Sequence, residues 1–184
     1  MTTLMTPRLL LSPLRLADAP AMFAYRSDPE VARYQGWEPA AIDDLHRFIR
    51  ELEDIVPGTP GTWYQLGIRL RDDETLIGDL GLHFPAGRDA EAEFGVTLAP
   101  AHQGRGYAAE ALRGALAYLF DDLGKHRVTA SVDPRNTPSM RLMARLGMRQ
   151  EALHRESLWF KGAWADDAIF AMLQREWQAL GPHE

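Results

Sequence analysis

Between residues 96 and 112 the chain reads VTLAPAHQGRGYAAEAL, and this stretch holds the residue types and spacing that most directly suggest chemistry. Gly104 and Gly106 lie two apart, after a strand-like run and directly before a helix-like one. The first amides of a helix have no partner inside it and the helix dipole makes that end positive, so such a junction binds anions. Glycine at 104 and 106 keeps side chains from blocking the backbone, and Arg105 adds a positive charge. A P-loop would need a glycine followed by Lys-Ser or Lys-Thr, and neither pair is present. The run Gly104-x-Gly106-x-x-Ala109 formally fits a dinucleotide fingerprint. In that motif the glycines follow the strand end inside a strand–helix–strand unit, with an acid about 20 residues on. Here Pro100, Ala101, His102 and Gln103 intervene, the preceding strands are hairpin-built, and His126 and Arg127 stand where the acid belongs. A tight turn without a ligand is the alternative to a phosphate site for these residues.

The neighbouring elements must hold that turn in place. TWYQLGIRL and TLIGDLGLHF are strand-like runs joined by the polar turn RDDE, and AEAEFGVTL follows as a third strand, which makes an antiparallel start. The pattern then changes to helix (GYAAEALRGALAYLFDDLG), strand (HRVTASVD) and helix (TPSMRLMARLG), a succession that implies parallel or mixed pairing. Ala108, Leu112, Ala115, Leu116 and Leu119 line one face of the first helix, with Arg105, Glu110 and Arg113 off it. Gly124 and Gly147 sit where helix C-terminal caps belong. EALHRESLWF and WADDAIFAMLQ make a last extended pair that turns at Lys161-Gly162. Ahead of the sheet, PRLLLSPLRL reads as an opening strand, and Asp18 as the N-cap of a helix over APAMFAYRS. DPEVARYQGW reads as a turn with a short helical piece. Pro39 then suits the first turn of a longer helix through AAIDDLHRFIRELEDI, closed by PGTPG. The expected class is α+β: a mixed, mostly antiparallel central sheet flanked by helices, in a single domain over residues 1–184.

Composition removes several functions. The 184 residues are 46% apolar and 25% charged, ordinary for a soluble globular chain, with a formal charge of −6. That charge argues against a nucleic-acid partner and mildly favours amine-bearing ones. The absence of cysteine excludes disulfides, thiolate metal sites and a cysteine nucleophile. His83, His102 and His126 have no metal-ligand spacing, so no metal is expected. No apolar run approaches the ~20 residues of a bilayer span, and MTTLMTPRLLLSPLRL is too short and interrupted for a signal peptide, so a cytoplasmic protein without membrane contact is expected.

Gln103-x-x-Gly106-x-Ala108 resembles the acyl-CoA pyrophosphate loop (Q/R-x-x-G-x-G/A) of the GNAT superfamily of N-acetyltransferases. The resemblance runs along most of the chain in order. TPRLLLSPLRLADAPAMFAYRSDPEVARY is similar to that family's N-terminal segment, EFGVTLAPAHQGRGYAAEAL to its cofactor strand-loop-helix, and DPRNTPSMRLMARLGM to its Asn-x-x-Ser helix. GAWADDAIFAMLQREW resembles the ending of the ribosomal-protein N-terminal acetyltransferase branch, the RimJ/RimL type.

The resemblance implies an acetyl-CoA-dependent transfer to a primary amine, with two splayed parallel strands making a V-shaped gap for the cosubstrate. In that gap the backbones of Val96 and Leu98 would pair with the pantetheine arm, and the amides of Gln103, Gly104, Arg105, Gly106, Tyr107 and Ala108 would hold the pyrophosphate. Asn136 would bond the pantetheine region or serve its own helix start, and the Leu98 amide would face the oxyanion. Glu93, ten residues before Gln103, matches the strand glutamate that is the base in some branches; a structural pairing with an arginine is the alternative. Where many members carry a tyrosine acid this chain has Met143, and the acid implied is Ser139 of Asn-x-x-Ser, which equally suits a helix cap. The RimL-type glutamate of the penultimate strand falls on Leu158, with Glu156 two residues earlier as the reserve on the same strand face. Tyr34, Trp37, Glu156, Trp159 and Trp164 are candidates for the acceptor pocket, built from the N-terminal helices and the last hairpin. The acceptor is a protein N-terminus, a peptide or a small-molecule amine, and a homodimer is compatible with the sequence. The alternatives are another acyl-CoA donor or a catalytically silent acyl-CoA-binding regulatory domain.

Overall fold

The computed structural model, which describes residues 2–181, opens with β1 (Leu4–Met5) and β2 (Leu9–Pro13). Three helices follow: α1 (Ala19–Arg26), α2 (Pro29–Ala32) and α3 (Ile42–Glu51). Then come β3 (Thr62–Leu70), β4 (Leu76–Phe84) and β5 (Glu91–Leu98), α4 (Tyr107–Ala117), β6 (Arg127–Val132) and α5 (Thr137–Arg145). The chain ends with the hairpin β7 (Arg149–Phe160) and β8 (Ala163–Leu173) and with α6 (Gln174–Ala179). Among the described residues the strands form one sheet in the order β1-β2-β3-β4-β5-β6-β8-β7.

Every neighbouring pair is antiparallel except β5 and β6. The helical crossover α4 forces that exception, because a strand–helix–strand connection returns the chain in the same direction. The parallel contact is short: Glu91 faces Arg127, Ala92 faces Val128, Glu93 faces Thr129, and pairing ends. β5 continues to Leu98 and β6 to Val132 without touching in register, so the strands splay. The sheet is therefore the expected mixed, mostly antiparallel one, open at its parallel pair.

Helices cover both faces. Leu112, Ala115, Leu116 and Leu119 are fully buried against Leu9, Leu11, Leu66, Ile68, Leu80 and Leu82. Burying each such leucine or isoleucine contributes roughly 1.5–3 kcal/mol, so α4 is fixed to the sheet mainly by this face. On the opposite face Ala19, Met22 and Tyr25 of α1 pack with Leu45 and Ile49 of α3. Two arginines lie under that second layer: Arg69 pairs with Asp18 and Ser12, and Arg26 pairs with Asp79.

Several local expectations are corrected. Pro39 lies outside α3, because Asp44 accepts the amides of Ala40 and Ala41, both at 3.0 Å, and so starts the helix at Ile42. The same helix stops at Glu51, ahead of PGTPG. Asp18 occupies the N-cap position of α1 but gives that helix no cap; its carboxylate accepts the Arg15 amide at 2.6 Å and the Arg69 guanidinium. After Ala117 the helix widens to a π turn over Tyr118–Asp122. The short α6 was not foreseen; Glu176 starts it by accepting the Leu173 amide at 2.9 Å.

Candidate active site

The splay leaves the far half of β5 with one free edge. Arg127 donates to the Ala90 carbonyl on the β6 side, while Ala99 donates to Ile77 on the β4 side. Backbone direction alternates along a strand, so the amides and carbonyls of Val96 and Leu98 face the gap. Gln103 turns back and donates from Nε2 to the Leu98 carbonyl at 3.0 Å. Its side chain thus anchors the loop to the strand end.

The loop closes on the N-terminus of α4. Gly106 is the N-cap residue, in the left-handed region at φ +83°, and no side chain caps the helix. Glu110 is the first residue whose amide closes the helical ladder, onto Gly106, so the amides ahead of it are available to an anion. A Cβ at Gly106 would come within 3.4 Å of only Arg8, so backbone conformation rather than crowding requires glycine there. Arg8 was missed by sequence reasoning. Its Nε meets Glu110 at 2.6 Å, its Nη1 donates to the Arg105 carbonyl at 3.2 Å, and its guanidinium lies 4.5 Å from the Tyr107 ring centre. Burial raises the Glu110 carboxyl, but bonds from Thr6 and Arg8 outweigh it and hold the group below its ordinary value.

Across the gap, Asn136 caps α5 by accepting the Ser139 amide at 3.2 Å. Loop, strand end and α5 enclose a cavity of about 650 Å³ whose wall includes Val96, Leu98, Gln103, Gly104, Gly106, Tyr107, Ala108, Asn136, Ser139 and Tyr34. Sequence reasoning named all ten, nine of them for the donor site and its chemistry and Tyr34 for the acceptor pocket. It missed Arg141 and Arg145 of α5, which also line it. A helix carrying two arginines four residues apart on one side was the available signal. Arg105 is exposed and off the wall, and Met143, at the position of the family tyrosine, is buried in the core.

Glu93 stands elsewhere. It lies at the last position of β5 that pairs with β6, on the opposite sheet face from Phe94, with Oε2 3.6 Å from His83 Nδ1. His83 stacks on Trp63, ring centres 4.9 Å apart. In the next row Gly81 faces Gly95, and a Cβ at Gly81 would press to 2.8 Å from Gln65 Oε1 and 2.9 Å from the Trp63 ring. Gln65 in turn bonds buried Asp79, which also accepts from Tyr25 at 2.7 Å and from Arg26. Burial, then the Asp79 charge, push the Tyr25 hydroxyl well above its ordinary value. Burial pulls Arg26 down, but Asp79 more than restores it.

The acceptor candidates separate. Tyr34 reaches the Arg135 carbonyl at 3.4 Å and also lines a second cavity of about 290 Å³. Trp37 packs on Phe48 and over Arg26, away from both cavities. Trp159 and Trp164 meet edge to face at 5.3 Å on the exposed end of the last hairpin. Glu156 sits in a bulge between His154 and Leu158 with φ +44°, and its amide is held by Asp166 at 2.8 Å. Period-two spacing does not carry across a bulge, so Glu156 does not share a face with Leu158 by parity. Among the described residues no group of acids and histidines could hold a metal, and no helix is long and apolar enough to cross a membrane.

The chain as a whole is similar to known proteins. The family model of the acetyltransferase (GNAT) domain matches residues 8–149. The chain is 33% identical over 178 residues, 96% of its length and 99% of the other's, to the Bacillus licheniformis protein called uncharacterized N-acetyltransferase p20. Over 118 residues, 64% of this chain and 61% of the other, it is 28% identical to the ribosomal protein uS5-alanine N-acetyltransferase of Escherichia coli. A crystal structure of a GNAT-family acetyltransferase from Bacillus anthracis is 27% identical and superposes with a TM-score of 0.86, covering 95% of this chain and 100% of that one.

Proposed function

The chain belongs to the GNAT acetyltransferase family, and on that premise we propose that it moves an acetyl group from acetyl-CoA to a primary amine by direct attack in a ternary complex. The observation that carries this reading is the free edge of β5 at Val96 and Leu98 followed, after the loop that Gln103 ties to Leu98, by the uncapped, left-handed Gly106 start of α4. The free edge suits an extended amide-bearing arm, and the helix start suits a pyrophosphate. Residues 1–184 would act as one N-acetyltransferase domain.

Bound acetyl-CoA supplies an activated thioester. The neutral amine forms the N–C bond at its carbonyl, the carbonyl oxygen takes up negative charge beside the Leu98 amide, and the C–S bond then breaks to release the thiolate. The amine proton goes to Glu93. Five steps of strand take the chain from Glu93 to Leu98, roughly 16 Å at ~3.3 Å per residue, so a relay of waters rather than direct contact carries that proton. Ser139, on the cavity wall, is the hydroxyl assigned to the departing sulfur. With no cysteine in the chain, no cysteine-linked acyl-enzyme is available. The acceptor is an N-terminus, a peptide or a small amine; membership of the RimJ/RimL-type branch is the narrower reading, supported by the uS5-acetylating relative.

The test is calorimetric binding of acetyl-CoA followed by thiol release with a panel of amines and peptides. Binding with turnover is the expected result. Binding without turnover on any acceptor would make the chain a silent acyl-CoA-binding domain, the reading that buried Met143 favours. No binding would sink both.

A further inference from the structure

The smaller cavity has a wall of one charge. Arg33 follows α2, Arg135 precedes α5, Lys161 stands at the β7–β8 turn, and among the described residues no acid lines the space between them. Arg33 and Tyr34 line the main cavity as well, so the two spaces adjoin. The carboxylates that bond Arg135 and Lys161 are not part of that wall. Asp133 takes Nε and Nη2 of Arg135, and Lys161 Nζ spends two donors on Glu38 at 3.0 Å and the Ala32 carbonyl at 2.7 Å. Asp166 also acts on Arg135, but its Oδ1 accepts the Glu156 amide. The carboxylate paired with Arg33, on Glu30, stands 4.0 Å away, beyond hydrogen-bond reach.

A guanidinium has five N–H donors and an ammonium three. Among the described residues Arg33 therefore keeps its whole fork, Arg135 keeps both hydrogens of Nη1, and Lys161 keeps one. Such a fork matches the two oxygens of a carboxylate or phosphate, and the other two cations are pre-set by their acids. We propose that this cavity receives an anionic oxy group of the acceptor, so that the amine acetylated in the main cavity belongs to a molecule that also carries a carboxylate or phosphate. The net charge of −6 favours polycationic amines at long range, but the short-range wall selects against them. The proposal rests on the main cavity being the acyl-donor site.

The experiment compares matched acceptors with acetyl-CoA: an amine as its free acid, its phosphate ester and its uncharged amide, with a linear polyamine alongside. The acid or the phosphate should exceed the amide and the polyamine in kcat/KM by about tenfold or more, and the better of the two names the group. Arg135→Gln and Lys161→Gln should each raise the acceptor KM about tenfold while the acetyl-CoA KM stays within about twofold. Where turnover is too slow to rank, the same ligands are titrated into CoA-loaded protein. Tighter binding of the anionic forms, lost in both variants, supports the proposal. A polyamine or amide that performs as well as the anions overturns it. A rise confined to the acetyl-CoA KM reassigns the cavity to the donor and also overturns it. Failure to bind CoA at all is a different result, which removes the donor site itself.

Discussion

Glu93 and His83 face each other across the antiparallel β4–β5 pair, Oε2 3.6 Å from Nδ1, on the sheet face away from α4. His83 Nδ1 is a buried atom with no hydrogen-bond partner among the described residues, and Trp63 closes one side of the ring. A carboxylate, an imidazole and an aromatic wall thus stand together on that face, beside the splayed end of β5.

If Glu93 receives the amine proton, Glu93→Gln should lower kcat by about 10²-fold or more and alter its pH profile, with acetyl-CoA KM nearly unchanged. His83→Asn should reduce kcat less, because the carboxylate remains. Steady-state kinetics across pH check both; unchanged kcat in Glu93→Gln removes it as the base.

Gly106→Ala places a side chain at φ +83°, which costs about 1–2 kcal/mol and disturbs the amides that would hold the pyrophosphate. Acetyl-CoA KM should rise about tenfold, with little change in acceptor KM. Equal binding of acetyl-CoA by both proteins in calorimetry would count against the cradle.

Asp79 collects bonds from Tyr25, Arg26 and Gln65 and is 1% exposed. Asp79→Ala leaves the buried Arg26 charge uncompensated, so stability should fall by about 3–5 kcal/mol, lowering Tm on the order of 10 °C. Tyr25→Phe removes one bond and should cost about 1 kcal/mol, plus whatever burial of the freed Asp79 oxygen adds. Thermal unfolding monitored by circular dichroism distinguishes the two.

Arg127 and then Arg149 hold the Glu151 carboxyl down from 4.5 to about 2, and Arg149 also bonds Glu176 of α6. A folded value below the unfolded one means the pair contributes fully above pH about 4.5. That contribution is lost as pH falls from there through about 2. Glu151→Gln should therefore flatten acid destabilisation in that window and lower stability slightly at neutral pH. Because the cluster is largely solvated, the effect should shrink in high salt. Denaturant melts at stepped pH, with and without salt, provide the measurement.

The elements readable in the sequence were those with a short-range cause. Two strand-like runs joined by the polar turn RDDE marked β3 and β4, the apolar stripe from Leu112 to Leu119 marked α4, and Gly124 and Gly147 do take the positive φ expected of caps. Of the candidate site, the loop from Gln103 to Ala108 and the Asn136 helix start were readable because the backbone there needs particular residues locally. The π turn after Ala117, the bulge at Glu156 and the late start of α3 were not readable. Each depends on which carbonyl or carboxylate lies within reach of an amide, as Asp44 does for Ala40 and Ala41.

The sequence by itself determined the α+β class and the strand–loop–helix that suits an acyl donor, which follow from periodicity and from residue types in one continuous stretch, and its resemblance to a family along most of the chain determined the family. Only the tertiary structure decided what meets across long separations. Arg8 on Glu110, Asp79 on Arg26, Glu93 beside His83, and Arg33 with Arg135 and Lys161 join residues far apart in the chain. Charge and donor count are properties of residues, but whether a charge is satisfied or left facing a cavity depends on neighbours that folding alone supplies.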